Sequence, residues 1–227
     1  MKRLGIAFSG GPTASEIVDC VRLAEDLGYE SAWIAEGHGG DQFSILSGCA
    51  AATSKIKLGT AISSVFVRSA PTLAMAAATV DELSKGRLIL GLGSSHKVQV
   101  VPEHGIEYSK PILRLTETVK IIRELIKTGS VEFDGETIKI EKFDLWFKPR
   151  RPQIPIYLAG LFPKMVTTCG EIANGIILTR STLQTADEIQ PHLVAGSNIA
   201  GRNPKNIDIT SLLPTAVCET KKEAVDM

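Results

Sequence analysis

The chain has 227 residues, 44% of them hydrophobic and 22% charged, enough apolar material for a large core and short enough for one domain. Its 25 Lys and Arg balance 25 Asp and Glu, so no excess positive charge is available to neutralise a phosphate backbone, and nucleic acid is not an expected partner. No run reaches the roughly 18–20 apolar residues of a membrane span. The N-terminal stretch MKRLGIAFSGG is too short for a signal peptide, so a cytoplasmic location is expected. Cys20, Cys49, Cys169 and Cys218 lack the C-x-x-C spacing of zinc or redox sites and read as reduced, mostly buried thiols.

In chain order, short apolar runs alternate with helical patterns. The runs Leu4–Phe8, Ser31–Ala35, Ile56–Ile62, Leu88–Leu92, Ile154–Ala159, Gly175–Thr179 and Ile207–Val217 are nearly continuous in hydrophobicity, which predicts strands buried on both faces. Ile17, Val21, Ala24 and Leu27 carry a helical period that stops at Gly28. Pro71 opens a second helix with Leu73, Ala76, Ala77, Val80 and Leu83 inward and Gly86 after it. Thr116–Lys127 forms a third, ending at Gly129, and Lys221–Met227 begins another helical pattern. Strand and helix in strict alternation imply parallel strands joined by right-handed crossovers, in a closed barrel or an open doubly wound sheet. The longest interval, from Leu88 to Ile154, contains Val131–Ile140, where Asp134-Gly135 between β-rich flanks predicts a hairpin. Residues of about 130–153 are therefore read as an insertion after the fourth helix, within one domain spanning 1–227. Seven strands are visible, one fewer than a barrel needs, which leaves the C-terminal unit missing or the sheet open.

Parallel α/β architectures bind ligands beyond the carboxyl ends of their strands. The residues there are Glu36-Gly37-His38-Gly39-Gly40-Asp41, Gly59 to Ser64, Gly91 to His96, Ala159-Gly160 and Thr179-Arg180. Gly160 and the amides opening a helix near Pro163 suit an anion, because a helix N-terminus presents unpaired N–H groups. Thr179 and Arg180 add hydroxyl and guanidinium donors, although Gly160 could equally serve a tight turn and Arg180 face solvent. Gly91 and Gly93 suit close approach of backbone to a flat ligand. Glu36 is the best-placed carboxylate, His38 and His96 are titratable groups after strands, and Asp41 is expected to cap the next helix. No nucleophilic triad or metal-ligand spacing is present.

Three stretches carry a family resemblance: Tyr29 to Glu36, Ile56 to Ala61, and Asp81-Glu82-Leu83-Ser84-Lys85-Gly86-Arg87 running on to Gly93. They resemble the bacterial luciferase-like superfamily of flavin and deazaflavin oxidoreductases. Gly105 to Pro111 and Ile154 to Gly175 are most similar to its coenzyme F420-dependent methylenetetrahydromethanopterin reductase branch. The resemblance implies a (β/α)8 TIM-type barrel holding F420, or alternatively FMN, at the strand carboxyl ends. It also implies a non-proline cis peptide at Ala61–Ile62, pressed against the middle of the ring. By the same resemblance, ring contacts fall on Thr60, Ala61, Ile62, Gly91, Gly93 and Ser94, and phosphate contacts on Ala159, Gly160, Thr179 and Arg180. Glu36 or His38 would move a proton or fix the substrate. Partners are expected to be a small-molecule substrate and further copies of the chain. This sequence departs from the reductase branch at three points: Ala7 replaces a glutamate, Gly37 separates Glu36 from His38, and His96 replaces an acidic residue. Three activities follow as expectations: F420-dependent hydride transfer with methylenetetrahydromethanopterin as the leading acceptor, an FMN-dependent monooxygenase, and a catalytically silent flavin-binding member.

Overall fold

A computed structural model describes residues 3–226. Its strands are β1 (Gly5–Phe8), β2 (Ser31–Ile34), β3 (Lys57–Thr60), β4 (Ser63–Ser64), β5 (Leu88–Gly93), β6 (Ser130–Asp134), β7 (Lys139–Asp144), β8 (Ile156–Ala159), β9 (Gly175–Thr179) and β10 (Asp208–Leu212). The helices are α1 (Ala14–Asp26), α2 (Gln42–Ala52), α3 (Ala70–Leu83), α4 (Lys97–His104), α5 (Pro111–Thr128), α6 (Pro163–Ile172), α7 (Leu183–Ile199) and α8 (Lys221–Asp226). Met227, the last residue of the final helical pattern, lies outside the described residues.

The parallel sheet runs in chain order, β1-β2-β3-β5-β8-β9-β10, with β4 paired to β5 as a continuation of β3. It curls into a nearly closed TIM-type barrel. The Arg3 guanidinium, just ahead of β1, reaches across to donate to Asp208 on β10 at 2.8 Å. Among the described residues β1 and β10 are the two edges, and this corrects the expectation of strands buried on both faces. β5 is buried throughout, whereas β1 and β10 alternate between exposed and half-buried positions. Each edge strand is bonded to one neighbour only, so its free edge borders a cleft. The predicted run to Val217 ends at Leu212, and Pro214, which offers no amide to a ladder, follows soon after. The hairpin β6–β7 forms a separate antiparallel sheet.

Local chemistry explains the helix boundaries. Thr13 and Glu16 form a reciprocal capping box on α1, Asp41 caps α2 through the Ser44 amide, and Ser69 caps α3 ahead of Pro71. Gly129 ends α5 in the left-handed region that glycine accepts without steric cost. Helices α6 and α7 cross with backbone in contact, since a Cβ on Gly196 would lie 1.9 Å from the Thr167 carbonyl oxygen.

Two cores result. The larger lies between strands and helices, and a small one fills the barrel with Trp33, Ile89, Tyr157 and Ile177. The Trp33 and Tyr157 rings are 5.8 Å apart. Gly59 and Gly175 make room for them, because a Cβ would approach those rings to 2.3 and 2.7 Å respectively. The Asp81-to-Arg87 stretch sits away from the strand carboxyl ends. Buried Asp81 takes a bidentate ion pair from Arg151, and Arg87 donates to the carbonyls of Ala50, Thr53, Ile56 and Ser84. It ties the base of the barrel together. Cys49 and Cys169 are buried, and burial pushes their thiols up to about 11 and about 12. Cys20 is exposed and Cys218 half-buried, so only two of the four match the expectation of burial.

Candidate active site

The site is built at the break between β3 and β4. A cis peptide joins Ala61 to Ile62, at the position that the resemblance indicated. The chain is pinned on both sides of it. The Ala61 amide donates to Ile34 O at 2.8 Å, the Ser63 hydroxyl donates to Gln42 Oε1, and the Ser64 amide donates to Glu36 Oε2 at 2.7 Å. Ala61 and Ile62 are half-buried, Ala61 lining the open cleft and Ile62 packed against the small barrel core, while Thr60, Ser63 and Ser64 are buried.

Thr60 does not offer its hydroxyl to a ligand. It is fully buried, donating to the Gly91 carbonyl and accepting from the Gly91 amide, both at 2.7 Å. Gly91 is also buried, and its missing side chain serves the protein: a Cβ would lie 1.9 Å from the Thr60 carbonyl oxygen. At Gly93 a Cβ would come within 2.9 Å of Ile62 and 3.3 Å of the Ala159 Cβ. The expected close approach of ligand to these glycines is thus replaced by close approach of the β3–β4 break, which the two glycines admit and hold forward. Ser94 remains half-buried beyond Gly93.

A cleft of about 1040 Å³ joins Ala61 to Thr179 and Arg180, with Ala7, Trp33 and Leu212 along its walls. Arg180 takes a positive φ of 51° and its amide donates to Leu212 O, which leaves the guanidinium exposed beside Thr179. Gly160 proves to be buried beneath α6. Its amide donates to Ile177 O, and a Cβ would meet Cys169 Sγ at 3.0 Å. It therefore serves packing and is no anion donor. Any anion would instead meet the first-turn amides of α6, where the N-cap residue Phe162 provides no side-chain acceptor. Ala159 is half-buried next to Gly93.

The two catalytic candidates differ sharply. Glu36 is held on both oxygens, by the Ser64 amide and by Arg68 Nε at 2.5 Å, and its side chain is 16% exposed. His38 is 80% exposed and pairs at 3.0 Å with Glu103 from α4. His96, at the start of α4, is exposed and makes no capping bond. Asp41 caps α2 as expected. Burial opposes its ionisation, but Arg68, the Ser44 amide and the Ser44 hydroxyl outweigh that and lower its carboxyl to about 2.

Sequence reasoning missed Arg68, which joins Glu36 to Asp41. The signal was available: Arg68 is the single basic residue between Lys57 and Lys85. It also missed Trp33 as the plug of the barrel.

The cleft runs from the strand amino ends at Arg3, Glu30 and Lys57 to the carboxyl ends at Ala61, Thr179 and Arg180, and in parallel barrels the carboxyl-end face is where barrel enzymes bind their ligands. The family described as luciferase-like monooxygenase matches residues 3–227, and the chain belongs to it. It is 31% identical over 223 residues to 5,10-methylenetetrahydromethanopterin reductase of Archaeoglobus fulgidus, covering 98% of this chain and 66% of that protein. Identity to the Methanolobus tindarius protein of the same name is 30% over 208 residues, covering 91% and 63%. The chain thus spans about two thirds of the length of these curated relatives. The solved structure of coenzyme F420 dependent tetrahydromethanopterin reductase from Methanopyrus kandleri superposes with a TM-score of 0.89 at 28% identity, covering 99% of this chain and 69% of that one.

Proposed function

We propose that this chain forms the cofactor-holding part of an oxidoreductase that uses coenzyme F420 to transfer hydride to or from a small molecule. The reading is carried by similarity to reductases of that cofactor class along almost the whole chain. The donor set fits the group. Half-buried Ala61 and Ile62 offer a firm backbone ledge for a flat ring. Thr179, Arg180 and the first turn of α6 offer the hydroxyl, guanidinium and amide groups that a phosphate tail requires.

When bound, F420 supplies hydride chemistry at its deazaflavin C5. The chain's residues hold and orient it. Ala61, Ile62 and Ser94 support the ring face, and Gly91, Gly93 and Thr60 support that ledge from behind. Arg180 and Thr179 take the anionic tail. His38, exposed and held by Glu103, exchanges protons with the substrate, whereas Glu36 keeps the ledge in place. Methylenetetrahydromethanopterin is the leading acceptor, with Ala7 in place of an inward carboxylate as the feature that sets this chain apart.

Separate fluorescence titrations with F420 and FMN test the reading. Saturable F420 binding, tighter than FMN and weakened at least tenfold by Arg180→Ala, is expected. Binding of FMN alone would shift the reading to a flavin monooxygenase, and binding of neither would end it.

A further inference from the structure

The Arg68 guanidinium, carried by the turn between β4 and α3, reaches across to the loop between β2 and α2. It donates through Nε to Glu36 Oε1 and through Nη2 to Asp41 Oδ2, both at 2.5 Å, and its carbon sits 5.1 Å from the centroid of the Phe43 ring. The side chain is 22% exposed. Planar, permanently charged and stacked on an aromatic face, it is suited to hold two carboxylates in fixed positions. The other oxygen of Glu36 accepts the Ser64 amide. One continuous chain of contacts therefore runs from the N-cap of α2, through Arg68 and Glu36, to the backbone two residues beyond Ile62. The turn that carries Arg68 is itself closed locally, since the amides of Phe66 and Val67 point to Ser64 Oγ and the Arg68 amide donates to Ser64 O.

We propose that Arg68 is a positioning residue: by orienting Glu36 against the Ser64 amide it fixes the Ala61–Ile62 ledge at the height a bound redox ring requires. The inference rests on the proposed ring site for its functional consequence, but its first step concerns the protein alone. Without Arg68, Glu36 can turn toward solvent, the Ser64 amide loses its acceptor, and the ledge samples other heights. Lysine can keep one ion pair but cannot bridge both carboxylates while stacking on Phe43.

The test has two readouts. Amide hydrogen exchange of residues 61–67, measured without any ligand, is expected to speed up about tenfold in Arg68→Met, the loss of one charge-assisted hydrogen bond. Arg68→Lys should give an intermediate rate, and Glu36→Gln should accelerate the same segment. With F420 present, Arg68→Met should weaken binding by about the same factor, while affinity for inorganic phosphate stays unchanged. Should Arg68→Met unfold, Arg68→Lys and Glu36→Gln carry the same comparison. Unchanged exchange at 61–67 in every folded variant would overturn the inference. Accelerated exchange in a protein whose wild type binds neither F420 nor FMN would support the clamp and refute the function proposed for the site instead.

Discussion

Replacing Gly91 by alanine tests how the site is framed. The added Cβ would stand 1.9 Å from the Thr60 carbonyl oxygen and 2.9 Å from Ile177 Cδ1, where ordinary contact begins at 3.4 Å. The nearer obstacle is backbone on a buried strand, which cannot swing aside. Overpacking of this kind costs about 1–3 kcal/mol. Separating the strands also strains the two hydrogen bonds between Thr60 and Gly91, each worth about 1 kcal/mol. A loss of about 3–4 kcal/mol follows, and at roughly 2–4 °C per kcal/mol for a chain of this size Tm should fall by about 10 °C. Thermal unfolding followed by circular dichroism measures it. Thr60→Val is the companion variant: it removes the hydrogen bonds without adding bulk and should cost less, about 2 kcal/mol. A Gly91→Ala protein melting within about 2 °C of wild type would refute the reasoning, because the glycine would then not be required by the packing of β3 on β5.

Three further outcomes are expected. Gly196→Ala should destabilise by about 2 kcal/mol or more in a denaturant titration, because its Cβ would meet the Thr167 carbonyl oxygen at the α6–α7 crossing. Glu117→Gln should loosen the β6–β7 hairpin. Burial disfavours its charge, but the Thr137 hydroxyl and the amides of Glu136, Thr137 and Ile138 more than compensate and hold the carboxyl below its usual range. Faster amide exchange confined to residues 135–138 would report that loss. The Asp41 carboxyl is lowered in the folded protein, so its stabilising contribution is complete above its ordinary value of 3.8 and fades as pH falls toward about 2. In acid titrations followed by circular dichroism, Asp41→Asn should therefore lose stability less steeply than wild type across that interval.

Much of the barrel was legible because each central strand is apolar on both sides. β5 and β9 fall within one residue of the expected bounds. What misled the reading was burial at the two edges: Leu4 to Phe8 is as apolar as β9, yet exposure depends on neighbours that a strand's own residues do not specify. The Asp81-to-Arg87 stretch was the most recognisable part of the sequence, and it lies remote from the site, holding α2, α3 and the Arg151 segment together. Spacing placed Glu36 at the mouth correctly. It could not show that both carboxylate oxygens are occupied, since Arg68 and Ser64 are about thirty residues away. A missing side chain looks the same from the sequence whether a ring or a carbonyl fills it, so Gly91 and Gly93 suggest space for a ligand where the structure puts the β3–β4 break.

The most direct test of the site is a difference map of amide hydrogen exchange on adding F420. Protection is predicted at residues 61–64, 94–95, 161–166 and 179–181, the ledge and tail positions proposed for the ring and its phosphate. Protection falling instead on the separate cleft of about 490 Å³ between α5 and Ile154–Ile156, with the ledge unchanged, would contradict the account.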